Sequence, residues 1–114
     1  MKFQIVKKES VVWPVTVNVP SDGGGTEQHK FFARFKRLKE YEFDFASEQG
    51  GQTALLKKTV LAVGDTEKDM EDIDDKDKQE LLADTNYRVG LYNAYLRMDA
   101  GVEEKNSSRP PVTG

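Results

Sequence analysis

The stretch from Trp13 to Leu38, WPVTVNVPSDGGGTEQHKFFARFKRL, constrains the fold more than any other part of the chain. Val15, Val17 and Val19 alternate with Thr16 and Asn18, the pattern of a half-buried strand rich in β-branched residues. Pro14 opens this run and Pro20 closes it, as suits a residue that cannot donate to a ladder. Ser21–Gly25 is a turn-forming cluster in which glycine gives access to positive φ. Phe31, Ala33 and Phe35 then alternate with Lys30, Phe32, Arg34 and Lys36. Two alternating runs across a glycine-rich turn predict a long antiparallel hairpin with one apolar face.

Around it, Phe3, Ile5 and Met1 alternate with Lys2 and Gln4, which predicts a short strand beside the hairpin. Residues 39–49 carry two signals. Tyr41, Phe43 and Phe45 alternate with Glu40, Glu42 and Asp44 as in a strand, while the length and the lack of β-branched residues favour helix. Gly50-Gly51 breaks the chain. Thr53–Val63 reads as a helix with Leu56, Val60 and Val63 on one face and Gly64 ending it. Asp65–Asp77 is an acidic loop, helix resumes from Asp77 with Leu81 and Leu82, and Asp84 or Thr85 caps a last helix from Asn86 to about Asp99, which Gly101 ends. The expected architecture is α+β: an N-terminal three-stranded antiparallel sheet packed with three to four C-terminal helices, in one domain over residues 1–100. Residues 101–114 have no periodicity and read as a disordered tail.

Composition narrows the chemistry. The 114 residues are 37% hydrophobic and 32% charged, with no cysteine and a single histidine. Disulfides and thiolate metal sites are therefore excluded. His29 has only Glu27 and Gln28 near it in sequence, too little for acid–base or metal work. The acidic loop fails as an EF-hand in both of its registers: from Asp65 the sixth and twelfth positions are Met70 and Lys76, and from Asp72 they are Asp77 and Ala83. The run Gly23–Gly25 lacks the spacing of a phosphate loop, and a strand follows it. The expectation is a protein that is not an enzyme and uses no cofactor. MKFQIVKK has no apolar run of signal-peptide length, and no segment approaches the roughly 18 apolar residues of a membrane span. Charge is split: residues 1–40 hold eight Lys or Arg against four Asp or Glu, and the rest of the chain holds nine against sixteen. That balance disfavours bulk nucleic-acid binding, although the basic, Phe-rich second strand keeps a small nucleic-acid-binding regulator among the alternatives.

The last helix is the candidate binding element. At roughly 100° per residue, Tyr87, Leu91, Ala94, Tyr95 and Met98 form a broad apolar stripe, and Val89, Tyr92 and Leu96 form a narrower one opposite. A helix that is apolar on two sides needs two partners. Tyr87, Leu91, Tyr92, Tyr95 and Met98 are thus the candidate partner-binding residues, for another protein or for self-association. The competing reading buries both stripes in one small core.

The chain resembles a tail assembly chaperone of long-tailed (siphovirus-like) phages and prophages. The resemblance spans roughly residues 1–100 and rests on MKFQIVKK, the Trp13–Leu38 block, the middle segment TALLKKTVLAVGD and the closing LLADTNYRVGLYNAYLRMDAG. It implies a non-enzymatic protein of the host bacterial cytoplasm, absent from the mature virion. Such a protein binds tape measure protein and recruits major tail protein during tail assembly. The alternative within the same context is a structural minor tail component, a tube-end or connector subunit that stays in the virion.

Overall fold

The computed structural model describes residues 3–104, so Met1 of the expected first strand and most of the expected tail, 105–114, lie outside the described residues. The chain is α+β. Its elements are β1 (Ser10–Pro20), β2 (Thr26–Lys36), α1 (Glu40–Thr59), β3 (Val60–Gly64), β4 (Glu71–Asp72), α2 (Asp75–Ala83) and α3 (Thr85–Asp99). The four strands form one antiparallel sheet in the order β1-β2-β3-β4, with the three helices packed around it.

The hairpin forms as its alternation dictates. Ser10–Pro20 pairs in register with Thr26–Lys36, which sets Val15 opposite Phe31 and Trp13 opposite Ala33. Val15, Val17, Phe31, Ala33 and Phe35 are buried on the face that the helices cover. At the two ends of the ladder, Ser21 N–H donates to the Gly25 carbonyl at 2.9 Å and Arg37 N–H to the Glu9 carbonyl at 2.8 Å. Antiparallel residues alternate between bonding the partner strand and pointing their backbone groups away. Odd-numbered residues of β1 therefore bond β2, and even-numbered ones face the open side. Pro14 and Pro20, which have no N–H to give, both fall on the open side.

The hairpin tip holds Gly23 and Gly24 at φ of +90° and +92°, where side-chain-bearing residues are strained, and Asp22–Gly25 are exposed. Replacing Asp22–Gly24 with Asn-Gly joins the hydrogen-bonded pair Ser21–Gly25 by the two-residue turn that such pairs favour. Stability in urea is expected to change by less than about 1 kcal/mol. A loss above about 2 kcal/mol would show that the tip packs against something.

Three expectations are corrected. Phe3–Lys8 is not a strand: it has no regular structure, and Phe3, Ile5 and Val6 are exposed. The helix expected over Thr53–Val63 ends at Thr59, and Val60–Gly64 is strand β3, paired with Phe32–Phe35 across a bulge. The apolar spacing there suits either element. Pairing decides it, because a strand at this place satisfies the second edge of β2 and buries Val60 and Ala62. The acidic loop is shorter than expected, interrupted by β4 and closed by Asp74, whose side chain accepts from Asp77 N–H at 2.8 Å to cap α2.

Residues 40–49 are helical, with Lys39 as the extended N-cap. The Glu42 carboxylate accepts from Lys39 N–H at 3.1 Å at the start of α1. The helix kinks at Gly50–Gly51, where Gly51 takes φ +63° and ψ −142°. Asp84 caps α3 by accepting from the N–H groups of Asn86 and Tyr87 at 2.9 and 3.2 Å. At its other end Gly101, at φ +72°, donates to the Met98 carbonyl while Val102 donates to that of Arg97. This is the Schellman arrangement, so Gly101 ends the helix as expected. It also ties down the first residues of the expected tail, and the Arg97 guanidinium pairs with Glu104.

Candidate interaction surface

Helix α3 packs across β1, and the approach is close because residue 90 is glycine. A Cβ there would lie 2.8 Å from Val17 Cγ2 and 3.0 Å from the Thr16 carbonyl oxygen. This docking fixes which stripe of α3 faces inward. Leu91, Ala94, Tyr95 and Met98 are buried in the core with Phe35, Leu55 and Leu56. Tyr95 is wholly buried, its ring 5.7 Å from that of Phe35 and stacked on Phe43 at 6.1 Å. Its hydroxyl accepts from Leu38 N–H at 3.4 Å. Burial pushes the phenol above its ordinary 10.0, with Asp99 adding to the shift and Leu38 N–H and Arg37 opposing it.

Of the five candidate binding residues, Leu91, Tyr95 and Met98 are therefore committed to this chain's own core. A partner cannot reach them without unfolding it. Tyr87 is half-buried, and its hydroxyl hydrogen-bonds His29 Nδ1 at 2.6 Å. The same histidine ring packs against Phe31 and Tyr87, at 5.0 and 5.7 Å between centroids. Tyr92 is half-buried between Val89 and Leu96, which are 39% and 38% exposed. Val89 and Leu96 of the narrower stripe are thus the outward apolar residues of α3, while Tyr92 packs half-buried against the core.

Helix α1 adds apolar surface that the strand-like alternation disguised. Residues two apart on a helix lie on nearly opposite sides. Phe43 accordingly points inward, while Tyr41 and Phe45 share the outer face, 69% and 55% exposed. The Lys58 ammonium lies over the Phe45 ring, 5.2 Å from its centroid. Helical-wheel arithmetic on residues 40–46 gives this split once the segment is known to be helix.

Two open grooves complete the surface. One, of about 750 Å³, spreads from α3 across β1 and β2, past Trp13, Pro14, Phe32, Asp65 and Arg97. The other, of about 480 Å³, has an apolar floor of Val63, Ile73, Leu81 and Tyr87 under a carboxylate rim from β4 and α2. Among the described residues no group of three or more His, Asp or Glu side chains is placed to hold a metal ion. Among them, too, no helix is long and apolar enough to cross a membrane. No protein-family model, no curated protein and no solved structure matches this chain.

Proposed function

We propose that this chain is a non-enzymatic tail assembly chaperone of a long-tailed phage or prophage. In this reading it works in the host bacterial cytoplasm, binds tape measure protein, recruits major tail protein and leaves no copy in the mature virion. Its sequence resemblance to that family motivates the reading. The observation that carries the binding role is the two-faced last helix: its broad stripe supplies the core, and Val89 and Leu96 remain on the outside with Tyr92 half-buried between them. Contiguous apolar surface left exposed on a folded chain is where a partner gains most by docking. Tape measure proteins are long and helical in this family, and a helix laid along α3 would cover that strip at i, i+3 and i+7 spacing.

Co-expression with the tape measure protein of the same gene cluster tests this. Leu96→Glu and Val89→Glu should each leave the fold intact, within about 1 kcal/mol in urea, because both positions are solvent-accessible. Each should weaken co-purification about tenfold or more, since a charge meets an apolar contact. Capture unaffected by both substitutions would move the binding surface elsewhere. Finding the chain in purified virions by mass spectrometry would replace the chaperone by a structural tail component.

A further inference from the structure

The smaller groove joins two kinds of surface. Its apolar floor is made of half-buried side chains, and its rim is acidic: Glu71 and Asp72 of β4 with Asp77 and Glu80 of α2, all four exposed. Asp84, also in the lining, is engaged in capping α3. No Lys, Arg or His lines the groove. Carboxylates gathered around an apolar floor repel one another. A segment that brings cations to the rim and apolar side chains to the floor relieves both problems at once. The groove therefore suits an apolar segment flanked by Lys or Arg.

Residues 2–8, KFQIVKK, are such a segment, with three lysines and no carboxylate around Phe3, Ile5 and Val6. Phe3–Lys8 lacks regular structure, and those three apolar side chains are 73%, 70% and 84% exposed. The arm leaves the sheet at β1, whereas β3 and β4, which border the groove, lie at the opposite edge. Complementary surfaces at opposite edges of one molecule join copies head to tail.

We propose that the arm of one copy docks in the acidic groove of a second copy, its apolar residues on the floor and its lysines among the rim carboxylates. The two contacting surfaces differ, so a pair keeps one unused arm and one unused groove, and association continues beyond two copies. The contact also gives the uneven charge of the chain a use. Residues 1–40 hold eight Lys or Arg against four Asp or Glu and the rest holds nine against sixteen, so a basic part meets an acidic part at each junction. The contact uses neither Val89 nor Leu96 and is independent of the assembly role proposed above.

Sedimentation of the full chain should show an average mass that rises with concentration across the micromolar range and falls as salt is added. Deleting residues 2–8, or combining Glu71→Lys with Glu80→Lys, should weaken self-association about tenfold or more. Both should leave the urea midpoint unchanged, because the arm lies outside the core and the two carboxylates are exposed. Phe3→Ser with Ile5→Ser keeps every charge of the arm and should weaken association as strongly, which non-specific attraction between opposite charges would not do. Mixing is the decisive arm. The chain lacking residues 2–8 keeps its groove, and the Glu71→Lys, Glu80→Lys chain keeps its arm, so together they should form a one-to-one pair that grows no further. A full chain that stays monomeric, association that survives any of these changes or ignores salt, or a mixture that forms no pair would each overturn the proposal.

Discussion

Tyr95→Glu is expected to unfold the chain. The ring is fully buried between Phe35 and Phe43, so the substitution removes a large apolar group and puts a carboxylate into an aromatic pocket. Truncating a buried aromatic costs about 3–5 kcal/mol before any charge is counted, and desolvating a carboxylate adds to that. The sum is comparable to the whole stability of a small domain, about 5–15 kcal/mol. Loss of the helical circular-dichroism signal, or a urea midpoint near zero, is the result to look for. Tyr95→Phe keeps the ring and gives up only a long hydrogen bond from Leu38 N–H. It should cost less than about 1 kcal/mol at neutral pH. It should also remove an alkaline slope. Below pH 10 the phenol is neutral in both states. As pH rises through 10 the unfolded chain loses this proton while the folded one, with its raised value, retains it. Stability therefore falls with rising pH in that window, and the Phe variant should lack this part of the fall.

Gly90→Val is expected to be the second most damaging single change. Glycine in a helix interior normally costs about 1 kcal/mol relative to alanine, so a surface site would gain from replacement. Here even a Cβ would meet Val17 Cγ2 at 2.8 Å, and the Thr16 carbonyl and Val17 Cα at 3.0 and 3.3 Å. Two of the three contacts are backbone of a sheet strand and cannot rotate away. The helix must lift off β1, loosening Leu91, Ala94 and Tyr95 together. Gly90→Ala should lose about 1–2 kcal/mol net, and Gly90→Val about 3 kcal/mol or more, read as shifts of the urea midpoint at constant slope. A stabilised Gly90→Ala would mean that α3 does not sit this close to the strand.

These two residues show how far the sequence reaches. Tyr95 and Gly90 sit in one helix whose bounds and cap are legible locally: Asp84 satisfies the first N–H groups, and Gly101 takes the left-handed turn at the end. Which stripe of the helix faces inward is not legible, because both stripes are apolar and only docking on β1 chooses between them. The close approach at Gly90 makes that choice: of the candidate binding residues it buries Leu91, Tyr95 and Met98 and leaves Tyr87 and Tyr92 half-buried, and it turns Val89 and Leu96 to the outside.

The rest of the fold divides along the same line. The hairpin, its turn, the break at Gly50–Gly51 and both ends of α3 were determined by the residues themselves, since alternation, glycine freedom and capping are properties of a few neighbours in sequence. The fate of Val60–Gly64 and of Phe3–Lys8 was decided only by tertiary structure. Val60–Gly64 has the spacing of a helix and becomes a strand because β2 has a second edge to satisfy and Val60 can be buried there. Phe3–Lys8 has the alternation of a strand and stays unpaired within its own chain, because β2 already occupies the inner side of β1 and a strand forms only against an edge that it can reach.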